Sequence, residues 1–479
     1  MVSSLKDKTV KGLVWSSIDR FSTQGVQFVF SILIARLILP SDYGIIAMLN
    51  IFIAVAQTFI DSGFGTALIR KLDRSQIDFS TVFYFNIIVS ILTYLGLWFS
   101  APYIAQFYNI NLLEKVAKVV GLNLIISAFS GIQNAKLSID IDFKSRAKIS
   151  LFTTSVSGVF GLWIAYIGYG VWALVFQSLT ASLLRTILLW YYVSWIPSLE
   201  FSCKSFKELF SFGSKILISG LLDTIYNNMY TIIIGKCFSS NSVGVYSRAD
   251  SLVQNPASSI TGVLISVIFP VLSTIQEESE QLAKAYKRFL KMSAFVFFPL
   301  MVGLAAVAEP FIRVVLTDKW EGAIYLLQII CFSMMWYPIH AINLNLLMVK
   351  GHSDYFLKLE LMKKMLGVAV LCVTIPLGLV AMCYGRIFSS VVSLALNTYY
   401  TKKLINYGFW KQMRDLFPIL LQSLIMGVLA YLVVQYIHSS VYQLVVGILT
   451  GAIYYIVSSY LLKFKELTTI VEIIRRKKK

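Results

Sequence analysis

Asp19 and Arg20 stand side by side within a long apolar run, and that position limits the chemistry this chain can do. An ionised group at the depth of a bilayer core costs on the order of 3 kcal/mol or more, so such groups face a bundle interior or a watery cavity. Ser16, Arg20, Thr23 and Gln27 follow at helical spacing and make one polar stripe. The next run carries a second stripe, Asn50, Gln57 and Asp61. Further along, Ser219, Asp223, Asn227 and Tyr230 repeat the pattern, followed by Asp250, Gln254, Asn255 and a helix-bending Pro256.

Two uses suit these groups. Arg20, Arg36, Lys215 and Arg248 would make a chamber attractive to an anionic substrate, and the guanidinium fork matches phosphate oxygens. Asp19, Asp61, Asp223, Asn227 and Asp250 would line the same chamber or carry H+ or Na+ to couple transport to a gradient. The plainer reading is structural: Asp19 beside Arg20, and Arg248 beside Asp250, neutralise one another and hold helices in register. Glu309 and Arg313, one turn apart, read as a structural pair.

Other chemistry finds no constellation. The three histidines (His340, His352, His438) are scattered, and the five cysteines show no metal-binding spacing. No glycine loop with its lysine is present to cradle a nucleotide phosphate. No cofactor and no metal are expected.

The elements that must position these residues are membrane spans. The chain has 479 residues, 57% hydrophobic and only 14% charged, with a mean hydropathy of +0.73. That composition, with repeated apolar runs near 20 residues, indicates an all-α polytopic membrane protein. About fourteen spans are expected. The first pair forms a hairpin over Val10–Lys71, turned by ILPSDYG at Ile38–Gly44.

The net charge of +18 follows from topology rather than nucleic-acid binding. Of 42 Lys and Arg, 31 fall in loops on the side of the N-terminus and seven on the other side. This asymmetry predicts an even number of spans with both termini cytoplasmic. The N-terminus shows no cleavable signal pattern, so the first helix is expected to stay as an anchor. The tail RRKKK (Arg475–Lys479) reads as part of the retention charge, in preference to a lipid-binding patch. Loops are short, leaving no room for a soluble catalytic domain, and the chain is not expected to be an enzyme.

An internal repeat supports two lobes. At an offset of 200 residues Ile34 falls on Ile234, Arg36 on Lys236, and Gly44 on Gly244. The expected division is a six-helix lobe at 1–200, a second at 201–406, and two appended helices with the basic tail at 407–479. Repeats around an internal site are the usual build of secondary transporters.

KTVKGLVWSSIDRFSTQGVQFVFSILIARLILPSDYGIIAM, then DSGFGTALIRK (Asp61–Lys71), resembles the Wzx-type polysaccharide flippases of the multidrug/oligosaccharidyl-lipid/polysaccharide exporter superfamily. Weaker echoes lie at Asp140–Lys144, Val243–Asp250 and Ile268–Leu272. The resemblance implies a V-shaped, two-lobed transporter of the bacterial inner membrane working by alternating access. Its substrate would be an undecaprenyl-diphosphate-linked oligosaccharide, moved to the periplasmic leaflet for O antigen, capsule or exopolysaccharide. The implied partners are that lipid, membrane lipids, a polysaccharide polymerase and other assembly proteins, with no nucleic acid. Arg20 is the nearest counterpart of the basic first-helix residues that hold the diphosphate in the related lipid II flippase. The last two spans would match a groove for the lipid tail. The competing readings are a cation-coupled multidrug exporter of the same superfamily, which the deep basic residues oppose, and a membrane polymerase or ligase, which the short outer loops oppose.

Overall fold

Within a bilayer core every backbone N–H and C=O must find a partner inside the chain, which leaves the helix as the solution for long apolar runs. The computed structural model describes the backbone of residues 2–61 and 63–476, with the side chains of 2–14, 16–18, 20, 212, 470, 471 and 473–476 not described. Helices fill it, and no strand occurs among the described residues. Among the described residues ten helices are long and apolar enough to cross a membrane, and eleven if the bent pair Cys203–Ser211 and Gly213–Cys237 counts as one span. The fourteen expected runs are compatible with this set.

The chain divides into two compact units, Met1–Gly244 and Val245–Lys479. In the first unit the helices are α1 (Val2–Leu37), α2 (Pro40–Asp61), α3 (Phe64–Arg70), α4 (Gln76–Tyr108) and α5 (Leu112–Val120). They continue with α6 (Leu122–Ala128), α7 (Gly131–Ile139), α8 (Phe143–Tyr166), α9 (Val171–Tyr192) and α10 (Cys203–Cys237). Helix α11 (Ser240–Thr274) begins in this unit and runs into the next.

Glycines decide how closely these helices approach. A Cβ on Gly158 of α8 would fall 2.3 Å from the Phe30 ring of α1, so the absent side chain lets α1 lie along α8. The stretch after α4 is built as the three short helices α5, α6 and α7 in place of one long one. Its break at Gly121 lies tight against α4, where a Cβ would meet Leu97 at 2.9 Å. An aromatic core of Phe64, Phe79, Phe83 and Trp195 closes the end of the unit where α3, α4 and α7 meet the segment leading to α10. Helix α10 lies against α2, α3 and α4.

The second unit continues with α12 (Ser279–Ala306), α13 (Ala308–Val315), α14 (Gly322–Met334), α15 (Tyr337–Val349) and α16 (Ser353–Thr374). Then come α17 (Leu379–Ile405), α18 (Phe409–Gln435), α19 (Ser440–Leu461) and α20 (Lys465–Arg476). Helix α12 is its centre, burying Leu290, Ala294, Phe298 and Met301 against α14, α15 and α18. Helix α19 is fixed to α18 by Gln422, whose amide donates to Tyr455 O, Ser458 Oγ and Ser459 Oγ at 3.1, 2.8 and 2.7 Å.

Candidate functional site

Charge enters the first unit through α1, α8 and α9. Asp142 caps α8, accepting from Ser145 N at 3.0 Å, and this start places Arg146 in the first turn of the helix. The Arg146 Nε then lies 3.8 Å from Asp19 Oδ2 of α1. The other Asp19 oxygen accepts from Thr23 Oγ1 at 3.3 Å. One turn nearer the N-terminus, Lys144 Nζ sits 5.8 Å from the centre of the Trp15 ring. Asp19 is thus brought to Arg146, across from α1 to α8. The side chain of Arg20 lies outside the described residues.

Arg185 is the one cation of α9. Its Nη2 donates to Asn134 Oδ1 of α7 at 3.1 Å, and the charges of Arg146 and Asp19 act on it. Sequence reasoning passed over Arg185, because it followed the stripes of the hairpin spans. The signal was present all the same: a single guanidinium in a 22-residue apolar helix.

The remaining candidates of this unit are dispersed. Arg36 lies exposed in the last turn of α1. Asp61 ends α2, accepting from Gln57 Nε2 at 3.0 Å, while Gln57 Oε1 accepts from Ser127 at 3.2 Å. Lys215, Asp223 and Asn227 are exposed along α10.

In the second unit Asp250 of α11 pairs with Arg386 of α17 at 2.6 Å. Arg386 also donates to Tyr246 Oη at 2.8 Å. The neutralising neighbour expected for Asp250 was Arg248, which is itself buried. Helical geometry explains the change, since residues two apart point to different faces of a helix. Glu309 and Arg313 pair at 3.0 Å as expected, and Asp318 and Glu321 lie 3.5 and 3.6 Å from the same guanidinium.

This unit also holds a buried polar seam. Thr401 Oγ1 donates to Asn343 Oδ1 at 2.8 Å, and Gln412 Nε2 donates to the same oxygen at 3.2 Å. Nearby, the His340 ring nitrogens lie 3.1 Å from Ser390 Oγ and 3.1 Å from Asn397 Nδ2. An apolar cavity of about 350 Å³ opens between α12, α14, α17 and α18, lined by Val302, Phe332, Ile387 and Tyr431. At its edge the Tyr325 and Tyr384 hydroxyls meet at 2.6 Å. Among the described residues no group of three His, Cys, Asp or Glu is placed to hold a metal ion.

Comparison with known proteins places this arrangement. A family profile described as "Polysaccharide biosynthesis protein" matches residues 33–325. The teichuronic acid biosynthesis protein TuaB of Bacillus subtilis is 26% identical over 353 residues, covering 73% of each chain. The lipopolysaccharide biosynthesis protein WzxC of Escherichia coli is 23% identical, covering 82% of this chain and 81% of its own. Among solved structures, the lipid II flippase MurJ in an inward closed conformation superposes with a TM-score of 0.77 at 15% identity. That match covers 94% of this chain and 99% of MurJ.

Proposed function

Because the chain belongs to the polysaccharide biosynthesis protein family, we propose that it is a flippase for lipid-linked oligosaccharide. It moves undecaprenyl-diphosphate-linked repeat units from the cytoplasmic to the periplasmic leaflet of the bacterial inner membrane, for O antigen, capsule or exopolysaccharide. The observation that carries this reading is Arg185, a cation inside an apolar span hydrogen-bonded to a neutral amide. An arginine held in this way retains attraction for an anion, and a diphosphate is the anion of such a lipid. The MurJ-like fold supports a membrane route for the substrate.

Both termini face the cytoplasm in this reading, as the distribution of Lys and Arg requires. The lobes of the transport cycle are 1–200 and 201–406, with 407–479 appended. The chain carries out no bond-making step and holds no cofactor. H+ or Na+ drives the return, and Asp61, Asp223 and Asp250 are the residues to examine for it. Its working partners are the lipid-linked oligosaccharide, the surrounding lipids, and the polymerase and assembly proteins that receive the unit.

The test is the sidedness of lipid-linked oligosaccharide in a deletion strain, read with a membrane-impermeant probe on intact spheroplasts. Single repeat units should accumulate out of the probe's reach. Units accumulating within reach would overturn the reading in favour of a downstream polymerase or ligase role. Unchanged levels with altered drug susceptibility would favour an exporter.

A further inference from the structure

In the first unit Arg146 of α8 lies 3.8 Å from Asp19 of α1, and Arg185 of α9 feels the charges of both, with α1 and α9 each packed against α8. Asp19 lies in α1, 18 residues before the end of that helix at Leu37. Arg185 lies in α9, 14 residues after its start at Val171. At about 1.5 Å per residue both are more than 20 Å from the end of the bundle opposite the N-terminus. Arg146, in the first turn of α8, and Arg185, seven residues from the end of α9, therefore lie toward one end of those helices, level with the middle of α1.

Their bonding is uneven. Asp19 reaches Arg146 at 3.8 Å, longer than the 2.7–2.9 Å of a well-made charge-assisted hydrogen bond. Its other oxygen is held by the Thr23 hydroxyl. Arg185 has Asn134 as its hydrogen-bond acceptor and feels Asp19 and Arg146 as charges. The Arg146 side chain is 40% exposed, whereas that of Asp19 is 17% exposed. The cluster keeps an excess of positive charge, one guanidinium within reach and a carboxylate loosely engaged.

We infer that Asp19 is an intramolecular stand-in for the substrate's anion, and that the diphosphate of the lipid displaces it from Arg146 and is held there by Arg146 together with Arg185. The inference rests on the flippase reading and assigns the residues that hold the headgroup. A diphosphate offers two adjacent anionic groups, one for each guanidinium, and planar forks favour such paired oxygens. A monophosphate can engage both forks only by sharing its oxygens, and is held less well. Asp19 serves the empty state, in which two arginines without a counter-charge would repel one another in a poorly solvated bundle. Bound anion and engaged Asp19 exclude each other, so the carboxylate weakens substrate binding and makes release possible.

This assignment gives opposite signs for residues in one cluster, which a general cationic cavity or a structural ion pair does not. The full-length protein in nanodiscs is titrated with farnesyl diphosphate and, separately, farnesyl monophosphate, with thermal unfolding as the check on folding. R146Q and R185Q should each weaken diphosphate binding by at least about tenfold, and R185K should restore part of it. D19N should tighten diphosphate binding by about three- to tenfold. Unchanged or weaker binding by a folded D19N overturns the exchange, as does equal affinity of the wild type for the two probes. If R185Q or R146Q fails to fold, D19N alone decides the matter. Flipping by the wild-type strain is measured separately, so loss of the exchange idea leaves the flippase reading standing, and the reverse.

Discussion

Gly44 and Gly244 face each other in mirrored contacts. A Cβ built on Gly44 would fall 1.8 Å from Ser240 O, and one built on Gly244 would fall 1.8 Å from Pro40 O. The four residues are two pairs at the 200-residue offset of the internal repeat, so the first turn of α2 and the first turn of α11 cross through equivalent positions. Only glycine permits backbones this close.

Substitution at this crossing should therefore be costly in both directions. Gly44→Val or Gly244→Val forces α2 and α11 apart and should destabilise the detergent-purified protein by about 1–3 kcal/mol or more, as overpacking does. Thermal unfolding reads this as a lower midpoint. Gly65→Ala, where an added Cβ meets nothing within 4 Å, is the control. That change inside α3 should leave the midpoint unchanged or raise it slightly. Equal behaviour of the three variants would refute the close crossing.

Asp250 and Arg386 lend themselves to a double-mutant cycle. Their side chains are 29% and 15% exposed, so each charge depends on the other for compensation. Arg386→Met alone should cost about 3 kcal/mol, since it leaves the carboxylate unmatched, and Asp250→Asn added to it should recover part of the loss. Additive losses would show that the pair carries no coupling.

Lys71 ties two elements together outside the spans, lying 3.2 Å from Asp78 and 3.1 Å from Glu208. Burial opposes its charge, but the Glu208 and Asp78 carboxylates outweigh that and hold the ammonium above its ordinary 10.5. A group raised in the folded state contributes its stability in full below the unfolded value and loses it as pH rises through the folded one. Lys71→Gln should thus lower the unfolding midpoint at pH 7, while wild type and variant should converge at pH values well above 10.5. A difference that persists undiminished at high pH would assign the effect to packing instead.

Asn343 joins Thr401 and Gln412 in the fully buried seam of the second unit. Asn343→Leu keeps the volume but removes the acceptor shared by Thr401 and Gln412 and the amide that donates to Gln412 Oε1, and should cost about 2–4 kcal/mol. Replacing Thr401 by Val as well should soften that loss, because it removes the hydroxyl that has lost its Asn343 acceptor. Urea or thermal titration of the two variants checks the order.

Much of the polar pattern was legible beforehand because it is periodic. The stripes from Ser16 to Gln27 and from Asn50 to Asp61 are spaced by the helix itself, and the helix is what a lipid core demands. The Glu309–Arg313 pair was equally local, one turn apart on one helix. The Asp250–Arg386 pair was not legible in this way: Arg386 lies in the third turn of α17, and its partner is 136 residues away. Arg185 was missed because its significance comes from α1, α7 and α8, none of them its neighbours in sequence.

The sequence by itself determined that this chain is a helical membrane protein, that it repeats at an offset of 200, and that charge is retained inside apolar runs. Those properties follow from hydropathy, spacing and the cost of burying ions, all carried by residues a few positions apart. Only the tertiary structure decided which charges meet. It joined Asp19 to Arg146 and Asp250 to Arg386, and brought Gly44 against Gly244. Helix packing sets those pairings through side-chain size at crossings far apart in the chain, which local spacing does not encode.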